Sequence, residues 1–209
     1  MSKLYVSNKD ETARMFKSDF FEAFSKIHWT VPLFIYVPVI GYLFYLAIFD
    51  YKIPVLGIIG LIVAGLFIWT ITEYLLHRFI FHFHTASDFG KRITFMFHGV
   101  HHDYPNDTKR LVMPPSVSIP LATGFFFLFK VILGDIFLAP FFIGFIGGYL
   151  FYDISHYAIH HFNMHSKFWL VIKNHHMRHH YQDPELGFGV SSPLWDIIFR
   201  SGYDLKKND

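Results

Sequence analysis

The sequence predicts an all-α integral membrane protein: four transmembrane helices, in two hairpins, with a helical cap on one side of the bilayer. Three observations predict it. Four apolar runs, about 31–49, 53–72, 117–133 and 136–152, carry almost no charge. Polar, histidine-rich stretches follow the second and the fourth run, and their histidines recur at spacings that place side chains on one helical face.

Each element can be justified in turn. Residues 1–29 mix Met15, Phe16, Phe20, Phe21 and Phe24 with Lys17, Glu22 and Lys26, a spacing that suits an amphipathic helix. The stretch lacks a signal peptide's apolar core and cleavage site, so it reads as a segment lying at the membrane surface or packed on the domain at 30–209. The run from Val31 to Phe49 is joined to the run from Ile53 to Thr72 by Asp50, Tyr51 and Lys52. At roughly 1.5 Å per residue the latter spans about 30 Å, the thickness of a hydrocarbon core. The second pair, joined by Gly134 and Asp135, is shorter and could cross fully or turn back within the bilayer. Either way the number of crossings is even. The amino terminus, the 78–115 region and everything after Tyr152 then share one side, and all but two of the 18 Lys and Arg (Lys52 and Lys130) lie there. The positive-inside rule makes that side cytoplasmic, at the endoplasmic reticulum in a eukaryote or the inner membrane in a bacterium.

Composition narrows the chemistry. The 209 residues include 15 His, 27 Phe and no Cys, which excludes disulfides, thiolate metal sites, iron–sulfur clusters and Cys nucleophiles. A formal charge of +2, with bases scattered among apolar runs, argues against a nucleic-acid partner.

The histidines fall in four clusters. His98-x-x-His101-His102 and His176-x-x-His179-His180 are the same unit, and His156 with His160 is an i, i+4 pair. His77 and His82 are the exception, because five residues turn an ideal helix about 500° and leave the rings roughly 140° apart. A helix end or a π-bulge is therefore predicted there. Ten imidazoles exceed the four ligands of a structural zinc site and suit a dinuclear catalytic centre of Fe, Zn, Cu or Ni. Ferritin-like bundles use Glu-x-x-His, a pattern absent here: Glu73 to His77 is i, i+4. Glu73, Tyr152 and Asp153, each about one turn before a ligand, are candidates to fix ring tautomers. His28, His84, His161, His165 and His175 fall outside the repeated spacings. Asp103, Tyr104, Asn106, Asp107, Lys109 and Arg110 are candidates to hold a lipid head group or to dock an electron carrier.

These residues carry a resemblance. The histidine boxes, with HGVHHDYPNDTKRLVMPP from His98 to Pro115, resemble the fatty acid hydroxylase superfamily, in particular its membrane fatty acid 2-hydroxylases. The likeness runs over roughly Pro38 to Asp204. It implies that His77, His82, His98, His101, His102, His156, His160, His176, His179 and His180 are the metal ligands. It also implies two iron ions in catalysis, with zinc able to take their place in purified protein, and O2 as co-substrate. The substrate would be a membrane lipid, a free fatty acid or the N-acyl chain of a sphingolipid. No haem-binding His-Pro-Gly-Gly motif occurs, so the expected electron donor is a separate protein of cytochrome b5 or ferredoxin type. A sterol or carotenoid hydroxylase or desaturase would use the same centre on a differently shaped pocket. A metal transporter would want ionisable ligands near the bilayer midplane, which three of the runs lack apart from Lys130 near an end.

Overall fold

The computed structural model describes residues 3–203, and among them there is no β-strand. After α1 (Asp19–Phe24), α2 (Val31–Tyr45) passes directly into a π turn, Leu46–Asp50. In the same way α3 (Val55–Leu75) runs into a π turn at Leu76–Phe81. Then come α4 (Asp88–Thr94), a third π turn (Phe95–Gly99), α5 (Val100–Asp103), the long α6 (Pro115–His161), α7 (Lys167–Tyr181) and α8 (Leu194–Ile198).

Local sequence accounts for the boundaries. Pro54 precedes the first turn of α3, and Pro115 opens α6, where its missing N–H costs nothing. Ser87 and Ser166 cap α4 and α7 by accepting from the Gly90 and Trp169 N–H groups. α6 is not one rod. Gly134 has φ 71° and ψ 171°, a conformation open to glycine, and there the chain doubles back. Ring contacts between Phe129 and Phe141, Phe125 and Phe145, and Phe126 and Phe142 show two antiparallel arms, 115–133 and 135–161. The hairpin expected at Gly134 and Asp135 is present.

The second arm is the centre of the core, burying Leu138, Phe142, Phe145, Ile146 and Ile159 among others. It crosses α3 at very close range. A Cβ on Gly65 would fall on the Phe141 carbonyl, and one on Gly144 would fall on the Ile62 carbonyl. Tyr36 and Leu43 of α2 join the same core.

Three helices are long and apolar enough to cross a membrane: Val31–Asp50, Val55–Phe81 and Pro115–His161. Only 22%, 17% and 39% of their most apolar windows are buried inside the protein. Most of that apolar surface therefore faces outward, which fits lipid as the surrounding medium. The histidine pairs at the carboxyl ends of α3 and α6 adjoin the histidines of α5 and α7.

Candidate metal centre and substrate cavity

Ten histidines converge, in two groups of five. His77, His82, His98, His102 and His179 form one group, and His101, His156, His160, His176 and His180 the other; within each, one nitrogen from every ring lies within 4.8 Å of all the others. The partition has a simple origin. Each His-x-x-His-His unit gives its i, i+4 pair to one group and its remaining histidine to the other: His98 and His102 against His101, His176 and His180 against His179. A helix end supplies the last pair in each, from α3 or from α6. The two groups share a wall where the His102 and His180 rings stack 4.3 Å apart.

The π turn solves the five-residue spacing. The His82 N–H donates to the His77 carbonyl at 3.2 Å, so residues five apart stand one above the other, and their rings lie 5.0 Å apart. The sequence allowed a helix end or a π-bulge here, and the structure has the π form.

A positive ion fits both groups, and hydrogen bonding alone does not. His176 Nε2 lies 2.9 Å from His156 Nε2 and 3.0 Å from the Nε2 of both His160 and His180. An imidazole nitrogen has one proton or one lone pair, so at most one of those approaches can be a hydrogen bond. In the other group His98 Nε2 stands 2.8 Å from His77 Nε2 and 3.1 Å from His102 Nε2. With metal–nitrogen bonds of about 2.1 Å, ligands at right angles would be separated by roughly 3.0 Å. His101 is buried, yet neither of its ring nitrogens has a hydrogen-bond partner.

Protonation agrees. Burial first, and neighbouring imidazoles second, push His98, His101, His102, His176, His179 and His180 well below the usual histidine range. Burial also brings His82 down to about 4. Neutral rings are the form that ligates.

What aims the rings is a segment that sequence reasoning passed over. The Phe188 carbonyl accepts from His77 Nδ1 at 2.5 Å and the Leu186 carbonyl from His179 Nδ1 at 2.7 Å, which leaves each Nε2 lone pair for the centre. Fully buried Asp196 holds this loop, accepting from the N–H groups of Phe188 and Gly189, the Ser201 hydroxyl and His175 Nε2. The signal available in the sequence was Gly187 and Gly189 shortly after the last histidine cluster. Gly187 has φ 73°, and a Cβ on Gly189 would strike the Ser192 carbonyl.

The fatty acid hydroxylase family matches residues 62–201, which hold all ten histidines. The chain belongs to the fatty acid hydroxylase family. It is 37% identical to a dihydroceramide fatty acyl 2-hydroxylase of Arabidopsis thaliana over 191 residues, covering 90% of this chain and 79% of the relative. It is 39% identical to the fatty acid 2-hydroxylase of Rattus norvegicus over 210 residues, covering 90% of this chain and 56% of that one. Among solved structures, full-length Scs7p, in which only the hydroxylase domain is visible, superposes with a TM-score of 0.83 at 35% identity. That match covers 90% of this chain and 71% of that one.

A cavity of about 490 Å³ reaches the centre of this family member. His98, His101 and His156 line it, so both groups of histidines face it, as do Arg110 and Asp153. Most of the rest is apolar, including Phe20, Phe24, Met96, Phe97 and Val112.

The remaining candidates have diverse places. Glu73 accepts from the Val190 and Ser191 N–H groups and the Ser191 hydroxyl, so it ties α3 to the 186–192 loop in place of touching an imidazole. Asp153 accepts from Met113 N–H and the Tyr149 hydroxyl, and Tyr152 stacks on His156. Of the three, Glu73 and Asp153 bind backbone N–H groups of neighbouring loops, and Tyr152 alone lies against a clustered imidazole. The amino-terminal segment covers the loop after α5. The Asp103 carbonyl accepts from Val6 and Ser7, the Asn106 amide donates to Asn8, and Asp107 accepts from the Thr12 hydroxyl. Tyr104 is half-buried, and Lys109 is exposed with its carbonyl bonded to Ile27 N–H. Arg110 is buried and lines the cavity. Outside the centre, His28 meets Thr30, His84 meets Glu185, His161 lies tilted against Tyr157, and His165 is exposed.

Proposed function

We propose that the chain is a membrane fatty acid 2-hydroxylase, inserting one oxygen atom of O2 at the α-carbon of a fatty acyl chain, free or N-linked to a sphingolipid. The observation that carries this reading is the cavity: a mainly apolar space of about 490 Å³ lined by three of the ten clustered histidines. Relatives that share over a third of their aligned residues with it are named for this reaction and for dihydroceramide acyl chains.

The histidines named above would each hold one of two metal ions, taken here as iron, which when bound supply the redox chemistry that activates O2. The overall balance is one O2, two electrons and two protons per C–H bond, yielding one hydroxyl and one water. The electrons come from outside the chain, from a cytochrome b5-type or ferredoxin-type protein. The chain's own part is geometry. Carbonyls of residues 186 and 188 keep Nδ1 protonated and Nε2 free, and the phenylalanine-lined wall keeps water from the reacting carbon.

Placement supports attack near the head of the chain. Four crossings, two from the α6 hairpin, would put every histidine at one membrane face, the cytoplasmic one by charge. Residues 1–29 would lie along that interface beside the hydroxylase domain at 30–209. α1 is inside-out for water: Phe20, Phe21 and Phe24 are 65%, 58% and 55% exposed while Glu22 is buried. That orientation suits an apolar surround. A carbon one bond from a head-group carbonyl sits just under the interface, where this topology would put the centre.

Mass spectrometry of total lipids from cells with and without the chain, beside a His101→Ala variant, tests the reading. We expect 2-hydroxy acyl lipids to appear with the chain and to vanish with the variant. Products that survive His101→Ala, or altered sterols or carotenoids in their stead, would refute it.

A further inference from the structure

The cavity wall holds one cationic side chain apart from the histidines, Arg110, and its hydrogen bonding is incomplete. Nη2 donates to Glu22 Oε1 at 2.5 Å. Nε stands 3.7 Å from Asp107 Oδ2, beyond hydrogen-bond reach, and neither Nε nor Nη1 has a hydrogen-bond partner although the side chain is only 3% exposed. Buried guanidinium N–H groups left unmade are costly, so a side chain in this state is poised for an acceptor. Of the polar groups nearby, Ser25 donates its hydroxyl to the Glu22 carbonyl and both Asp153 oxygens accept, while Asp107 Oδ2 is buried without a hydrogen-bond partner of its own.

A saturated acyl chain carries its acceptor at the head, a carbonyl oxygen two bonds from C2. From this we infer that Arg110 is the anchor for the carbonyl oxygen of the substrate, holding C2 and no other methylene before His98, His101 and His156. The inference rests on the hydroxylase reading above and adds to it the residue that selects the position. Charge refines the ligand. Glu22 and Asp107 face Arg110, and Lys26 lies 2.7 Å from Glu22, so two acids and two bases already balance. An uncharged amide or ester carbonyl keeps that balance, whereas a free carboxylate adds an uncompensated charge.

The test has a binding arm and a product arm. Purified protein in mixed micelles is titrated with a non-hydroxylated ceramide, with the matching free fatty acid, and with a ceramide analogue whose amide carbonyl is replaced by a methylene. A charged hydrogen bond predicts roughly 10- to 100-fold weaker binding of the methylene analogue, and the same loss of ceramide affinity in Arg110→Gln. Because Arg110→Gln leaves Lys26 as the one charged partner of buried Glu22, the double variant Glu22→Gln with Arg110→Gln, which removes both halves of the Arg110 pair, is made alongside. In expressing cells both variants should keep their metal yet spread hydroxylation from C2 to C3 and beyond. Equal affinity of the native chain for ceramide and for the methylene analogue would overturn the anchor. So would an exclusively 2-hydroxy product from a metal-loaded variant. Tighter binding of the free acid than of ceramide would overturn the preference for an uncharged head. If the native chain yields no 2-hydroxy lipid, the hydroxylase reading falls, while the binding arm still decides on Arg110 without turnover.

Discussion

Glu22 shows how one carboxylate holds a mobile-looking segment in place. Burial alone would raise its pKa, but the Lys26 ammonium, the Phe16 and Met15 N–H groups and the Arg110 guanidinium together hold it down at about 2. Its unfolded value is 4.5, so the folded state gains from an ionised Glu22 at every pH above that value, and the gain is lost as pH falls from about 4.5 toward 2. The linked stability is on the order of 2 to 3 kcal/mol. Thermal melts should fall over that acid window for the native chain. A Glu22→Gln chain should be less stable near neutrality by about the same amount and flatter in acid. At this scale the sequence told part of the story. It named Arg110, but the partner 88 residues away and the docking of Val6, Asn8 and Thr12 on the same loop depend on tertiary contacts that no spacing encodes.

Among elements, the loop from Gly187 to Ser192 matters as much as the helices that bear ligands. Asp196 is its keystone, since four donors converge on one carboxylate with no solvent access. Replacing it by Ala should free the loop, let the Phe188 and Leu186 carbonyls drift from His77 and His179, and weaken metal affinity by roughly 10- to 100-fold. Metal analysis after dialysis against graded chelator would read that loss. The helix pair α3 and α6 offers a sharper test. Because a Cβ at Gly65 meets backbone and not a flexible side chain, Gly65→Ala must push the two helices apart. We expect a loss of about 1 to 3 kcal/mol in the melting of the purified protein and lower metal content, since His156 is on α6 and His77 on the π turn that continues α3. Helices were legible from hydropathy and the paired histidines from periodicity, and the π turn at Leu76–Phe81 is one of the two forms, a helix end or a π-bulge, that the five-residue spacing allowed. The other two π turns, at Leu46–Asp50 and Phe95–Gly99, had no such pair of marker residues to reveal them.

For the whole molecule, histidines drawn from the π turn after α3 and its cap, the π turn before α5, and α5, α6 and α7 would make a metal centre a clasp among elements that otherwise pack mainly through the α3 and α6 crossing. Metal removal should therefore lower the melting temperature of the cap more than that of the apolar bundle, visible as two transitions in a chelated sample and one in the loaded protein. The division of labour within the two His-x-x-His-His units has a further outcome. An ion captured by His77, His82, His98, His102 and His179 immobilises α5 and α7 at once, and so presents His101, His176 and His180 already fixed to its neighbour. Loading should then be cooperative: titrated with less metal than it can hold, the population divides into chains carrying two ions and chains carrying none, with few caught halfway in a native mass spectrum.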